Sequence, residues 1–418
     1  MAFREQRSAI TAALGVKDIR NLWLAQALSE IGDWASRLAL AVVVYNRTES
    51  ALMSTTVFAV SMLPYIFSPW LTAIAMRWPL RTTLLGMDAI RAVAFIIIAI
   101  PGLPVPALFV LVFIAALASP PFEACKQAAL AEASGSKHMG GSLTLSELTL
   151  QSSQVLGFAL AGALLTTLGS SLVLVLNAAT FAVSFVLILP VQVGRSPGQK
   201  QKATQILAGP LRKLVSRGII RQAVLLAIVG SFVDAAVITL LPALTISENL
   251  PLWILSGLTL LSPLVGVVAT MFVRTSGSPS QLLHAGMYFI LVPCVLCTVF
   301  LVLAWTLPEA WLMPLLVAAI ASYGLTIAAG PPIYVLVLDL LDDSERAPAT
   351  ALIQPVFMGA QVVGAVLAGA TASFIPILLV QAVGAGVGVG YGLWVYLRPE
   401  PAPDPTIEYE SAEEALDQ

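Results

Sequence analysis

Residues 153–163 read SQVLGFALAGA, and residues 360–370 read AQVVGAVLAGA. A second pair, ASPPF at 118–122 and AGPPI at 329–333, recurs in the same order at nearly the same offset, 211 against 207. Both pairs lie inside long apolar runs, so the chain reads as one block of helices used twice. Glycine and alanine at such positions let helices approach closely, and taken singly each match also fits ordinary membrane packing. Two matches at similar offsets favour an internal duplication.

Composition says what kind of block this is. Of 418 residues, 58% are hydrophobic and only 11% charged, with a mean hydropathy of +0.91. Soluble domains carry about 25% charged residues. A water-soluble globule and a large soluble catalytic domain are therefore excluded. Crossing about 30 Å of hydrocarbon takes about 20 apolar residues per helix, so the chain has room for about a dozen spans. Beta-barrel spans alternate over segments of about ten residues, unlike these continuous runs.

Hydropathy places twelve helices near 21–45, 52–75, 83–101, 104–130, 141–168, 171–192, 219–245, 252–274, 281–305, 311–339, 348–372 and 374–397. The fold expected is all-α, twelve transmembrane helices in two pseudo-symmetric six-helix bundles. It divides into an N-terminal segment 1–20, a bundle 21–192, a linker 193–218, a bundle 219–397 and an acidic tail 398–418. The polar opening residues, with Arg4, Arg7, Lys17 and Arg20, do not read as a cleavable signal. If both termini are cytoplasmic, 18 of the 21 Lys and Arg residues, Lys126 among them, fall on the inside. Arg47 falls outside, and Arg37 and Arg91 lie within spans. That bias sets the orientation. In the linker, Ile206, Leu207, Leu211, Leu214 and Val215 alternate with Arg212, Lys213 and Arg217 at helical spacing, which predicts a short helix lying on the anionic membrane surface.

A charge at the bilayer centre costs about 2.5 to 3.5 kcal/mol, so each one requires a reason. The first span carries Glu30, Asp33 and Arg37 on one helical face, and Asp33 with Arg37 has the favourable acid-before-base spacing. Asp33 lies about 17 Å along the helix from Leu22 by its rise per residue. The seventh span carries a single acid, Asp234, which superposes on Asp33 at an offset of 201. Glu147, Gln151 and Gln154 form a polar stripe on the fifth span, and Gln354 with Gln361 lies on the eleventh. Such side chains face either a neighbouring helix, as hydrogen-bonding glue, or a water-accessible cavity whose carboxylates exchange protons and whose amides contact substrate. Glu123 is a further pathway residue. Arg77, Arg81, Asp88 and Arg91 suggest a cytoplasmic gate of ion pairs, or a permanent clamp between helix ends. Pro120 with Pro121 and Pro331 with Pro332 should break the fourth and tenth spans.

Other chemistry has little support. Cys294 and Cys297 form a C-x-x-C inside an apolar run and read as packing, as does Cys125; with only His138 and His284 no metal site is expected. No phosphate loop, H-E-x-x-H or G-x-S-x-G is present, so neither ATP hydrolysis nor another enzyme activity is expected, and no cofactor beyond a proton gradient is implied.

With NLWLAQALSEIGDW at 21–34, RWPLRTTLLGMDAIRA at 77–92, ASPPFEACKQAAL at 118–130 and GFALAG at 157–162, the chain resembles the major facilitator superfamily. It is similar in particular to the twelve-helix drug-efflux branch that includes macrolide-efflux and enterobactin-exporter-like proteins. The resemblance implies alternating access by two rocking bundles and export driven by inward proton flow. Two positions depart from the superfamily pattern: Thr72 and Met76 stand where the loop motif has glycine and aspartate, and Phe158 follows Gly157 where the antiporter motif has proline. The expectation is a monomeric bacterial inner-membrane exporter of small amphipathic compounds in exchange for protons, embedded in lipid and without a nucleic-acid partner. A dedicated siderophore or metabolite exporter, a proton-coupled importer, and a non-transporting sensor or scaffold are the alternatives.

Overall fold

A computed structural model describes residues 11–193, 218–273, 276–341 and 343–397. The surface helix expected in the linker and the acidic tail lie outside the described residues. Among those described, the chain is helical with no strand. The first bundle comprises α1 (Lys17–Thr48), α2 (Ala51–Ile66), α3 (Ser68–Ala75), α4 (Leu80–Ile98), α5 (Val105–Leu117), α6 (Ser119–Thr167) and α7 (Gly169–Ile188). The second comprises α8 (Gly218–Ile238), α9 (Leu241–Ser247), α10 (Leu252–Thr270), α11 (Pro279–Thr306), α12 (Leu312–Gly324), α13 (Gly330–Asp339), α14 (Asp343–Thr371) and α15 (Ile377–Leu397).

Seven helical stretches are long and apolar enough to cross a membrane, and α2 with α3, bent by 59°, makes an eighth. The remaining four spans are explained by what they carry. The apolar ends of α6 and α14 are shorter, at Ser152–Thr167 and Pro355–Thr371, while α1 and α4 hold the buried charges described below.

The expected proline breaks are present as helix restarts. Helix α5 ends at Leu117 and α6 begins at Ser119, with Pro120 and Pro121 in its first turn, where a missing N–H costs nothing. In the matching span α12 passes through a 3-10 turn, Leu325–Ala329, before α13 opens with Pro331 and Pro332. One connection differs from expectation. The connection expected between the fourth and fifth spans is reduced to a kink within α6, where two helices meet at a single non-helical residue, Gly135 (φ 53, ψ −170). Glycine adopts that left-handed φ without a side-chain clash, so one residue is enough to turn the chain.

The duplication is visible in contacts. A Cβ on Gly157 would sit 2.5 Å from Trp34 Cβ and 2.8 Å from Ile31 O on α1; one on Gly364 would sit 2.5 Å from Phe232 O and 3.1 Å from Ala235 Cβ on α8. A Cβ on Gly162 would collide with Ser256 of α10, and one on Gly369 with Thr55 of α2. Each pair of contacts differs by 207 on the glycine side and 201 on the partner side. The offset that superposes Asp33 on Asp234 is therefore the structural one for the first two spans of each half.

These glycines also show where the halves meet. Gly157 and Gly364 pack within their own halves, whereas Gly162 and Gly369 pack across, α6 on α10 and α14 on α2. The crossing contacts gather toward the face away from the termini, here called the distal face. There Ala51 of the first half joins Ala236, Leu240, Ala243, Ala368 and Val380 of the second in one buried cluster, and Ala59 joins Ala235 and Ala365 in another. At the terminal face, Ile19, Leu22, Leu80, Leu84, Phe122, Cys125 and Ile188 form a cluster drawn from the first half alone. The described packing thus joins the halves from the distal face down α2 and α14 to Ile66, which lies against Gly359.

Candidate functional site

Helix α1 presents Glu30 and Asp33 one turn apart, and each meets a cation from a different neighbour. Asp33 Oδ2 lies 3.9 Å from Arg91 Nη1 of α4. The pairing with Arg37 that its spacing suggested does not form; the Arg37 guanidinium lies over the Trp34 ring, 4.6 Å from its centroid. That stacking uses a face of the neighbouring indole which the same turn of α1 supplies.

Arg91 is held on all sides. Its Nη2 donates to Asp88 Oδ1 at 2.5 Å, and its guanidinium lies 4.1 Å from the Phe122 ring centroid and 4.4 Å from that of Phe181. Asp88 in turn accepts from Ser184 Oγ at 2.6 Å. Asn177 Nδ2 donates to Ser36 Oγ at 2.9 Å and, more weakly, to Asp33 Oδ1 at 3.5 Å. Asp88 and Arg91 are 0% and 4% exposed, so they form part of the core of the first half. Arg77 and Arg81 lie exposed at the terminal face, where Arg81 donates to the Leu189 carbonyl. The four residues expected to make one gate are thus two separate groups.

A second cluster was not expected. Lys126, counted in the sequence among the inside loop charges, is 1% exposed within the span Val105–Gly135. Its Nζ lies 2.6 Å from Glu123 Oε2 and 3.6 Å from Glu30 Oε1. Gln26 Nε2 donates to Glu30 Oε1 at 2.9 Å, and Gln127 Nε2 to Glu123 Oε1 at 3.1 Å. Glu30 Oε2 is buried without a hydrogen-bond partner. The sequence signal existed: Glu123 and Lys126 stand at i, i+3 after a proline break, the spacing of an intrahelical ion pair.

In the second half, Asp234 of α8 accepts from the Tyr323 hydroxyl at 3.0 Å and from Gln361 Nε2 at 3.4 Å. Tyr323, 1% exposed on α12, was likewise not singled out from the sequence. Gln361 is the repeat partner of Gln154, which is half-buried on α6. The side chains of Glu147, Gln151 and Gln354 lie outside the described residues. Among the described residues no group of three or more metal-ligating side chains occurs, and Cys125, Cys294 and Cys297 are buried free thiols.

What the arrangement can do follows from its charges. Buried carboxylates paired with cations are fixed in place, and removing one partner leaves an uncompensated charge. A partly buried carboxylate held by neutral donors, as Asp234 is, can change its protonation without breaking an ion pair. Both kinds occur at mid-depth in the chain.

No curated protein matches the sequence. Among solved structures, the nucleoside transporter NupG superposes with a TM-score of 0.72 at 14% identity, covering 90% of this chain and 98% of that one. A D-xylose-proton symporter gives 0.70 at 16% identity (91% and 98% covered). A bacterial homologue of the iron transporter ferroportin, in its inward-facing state, gives 0.67 at 14% (91% and 98%). At such identities these likenesses establish the fold alone. The family model described as Major Facilitator Superfamily matches residues 22–330. With two six-helix halves joined distally and buried charges at mid-depth, the chain belongs to the major facilitator superfamily and is a multi-pass membrane transporter.

Proposed function

We propose that this transporter exports small amphipathic compounds across a bacterial inner membrane in exchange for protons, by alternating access between its two halves. The observation that carries the reading is the pair of mid-depth carboxylates at equivalent places, Asp33 and Asp234, below a distal face where the halves are packed together. With both termini cytoplasmic, as the bias of basic residues favours, the distal face where the halves are packed is the outer one, and the arrangement is taken as the inward-facing one. Asp33 keeps 21% of its side-chain surface exposed and Glu123 37%, and Asp234 is likewise only partly buried. An exporter loads its substrate from the cytoplasm in this state and returns with a proton taken up on the far side. Energy then comes from the proton gradient, with no bound cofactor.

The test is transport in proteoliposomes carrying an imposed pH gradient, with a panel of cationic dyes, macrolides and siderophores as probes. Proton-driven movement of chemically unrelated dyes and macrolides is expected. Transport of a siderophore alone, or movement in the same direction as the proton, would replace the reading by a dedicated exporter or a symporter.

A further inference from the structure

The two halves are copies, yet their mid-depth carboxylates have different partners, and the contacts show which substitutions made the difference. Asn177 of α7 bonds at position 36 of α1, and Gln381 of α15 bonds at position 237 of α8, its carboxamide donating to Val237 O at 2.7 Å. Positions 36 and 237 differ by 201, so Asn177 and Gln381 correspond, at an offset of 204. Ser184 then corresponds to Gly388. Ser184 bonds to Asp88 of α4, and a Cβ on Gly388 would lie 2.6 Å from Cys294 Sγ of α11. Asp88 therefore corresponds to Cys294, and Arg91, three residues on, to Cys297. Where the first half buries an aspartate and an arginine, the second buries two thiols, each 0% exposed.

The consequence falls on Asp234. Its repeat counterpart Asp33 has Arg91 as a counter-ion; the second-half residue that corresponds to Arg91 is Cys297, an uncharged thiol. On the elements packed against α8, the groups that reach Asp234 among the described residues are the Tyr323 hydroxyl and the Gln361 carboxamide, both neutral. Cys294 and Cys297 on α11 and Tyr391 on α15 carry no positive charge. His284 lies in the second turn of α11 with Nδ1 against Ser280 O at 2.8 Å, and Arg221 lies 13 residues before Asp234 on α8 itself, about 20 Å along the helix. We infer that the halves have divided an ancestral function between them, Asp33 being a fixed anion that locks Arg91 in the first bundle and Asp234, held by Tyr323 and Gln361, the group that takes up and releases the transported proton. This deepens the reading of proton-coupled export and rests on it for its physiological meaning. On uptake the proton passes from water to a carboxylate oxygen of Asp234, and on release it returns to water, with Tyr323 and Gln361 keeping the side chain in place in both forms.

The assignment is tested without a substrate. Full-length protein in lipid nanodiscs is followed by infrared difference spectroscopy while pH is stepped, reading the stretching band of a protonated carboxyl group. The wild type is expected to show a band that titrates. Asp234→Asn should lose it, Asp33→Asn should keep it, and Tyr323→Phe should shift its frequency in the wild type but have no effect in the Asp234→Asn background. Cys297→Lys, which returns a cation to the Arg91 position, should also abolish the band; if it fails to fold, the other variants still decide. A band that survives Asp234→Asn, a band lost in Asp33→Asn, or no titrating band in the wild type overturns the inference. If the band behaves as expected while proteoliposome flux ignores the pH gradient, the export reading falls and the proton assignment stands.

Discussion

Lys126 is the residue on which one of the first half's two charge clusters depends. One ammonium, 1% exposed, faces two carboxylates at 2.6 and 3.6 Å. Removing it takes the counter-ion from Glu30, 16% exposed, and Glu123, 37% exposed, and since breaking a fully buried pair from one side costs about 3–5 kcal/mol, the loss here is smaller than that. Lys126→Met should therefore lower the thermal midpoint of the detergent-solubilised protein, and the double variant Lys126→Met with Glu123→Gln should recover a large part of the loss. At Arg91 the two acids are unequal. Asp88 contacts it at 2.5 Å and Asp33 at 3.9 Å, so Asp88→Asn should destabilise more than Asp33→Asn in the same melting assay. Equal losses would contradict the geometry.

At the scale of elements, the repeat glycines are contacts before they are motifs. The atoms nearest a Cβ at Gly162 belong to Ser256, its side chain first, whereas those nearest a Cβ at Gly369 include both the Thr55 side chain and Leu52 Cα at 2.9 Å. Overpacking a tight contact costs about 1–3 kcal/mol. Gly162→Ala should lose stability that Ser256→Gly restores, while Gly369→Ala should be restored only in part by Thr55→Ala, because backbone remains in the way. Paired melting curves read the two couplings. The sequence already contained this repeat, since glycine is needed wherever helix backbones approach. It did not contain the direction of each glycine, because SQVLGFALAGA reads the same whether it packs on its own half or on the other.

At the scale of the whole molecule, helices α2 and α14 run antiparallel in a constant register. Gly359 lies against Ile66 and Gly369 against Thr55, which sets Ala59 opposite Ala365, both buried. The two halves are packed together along this contact, and under the proposed alternating access it has to part. Ala59→Cys combined with Ala365→Cys should cross-link readily under oxidation and stop substrate flux, and a reductant should restore it. Continued flux in the cross-linked protein would show that the halves do not separate along this line.

Sequence alone determined that the chain is a helical membrane protein built from two copies, because hydropathy and repetition are properties of the chain read in order. Residues at i, i+3 and i+4 were legible for the same reason, which is why Asp33, Asp234 and the paired prolines could be named. Tertiary structure alone decided who meets whom. Asp33 chose Arg91 over the nearer Arg37, Lys126 moved from a loop charge to a buried counter-ion, and the place of Arg91 in the second half passed to Cys297. The first two are contacts between helices far apart in sequence, and the third follows from contacts of that kind in each half. A buried charge is stabilised by whatever neighbour the packing delivers, and spacing along one helix cannot specify that neighbour.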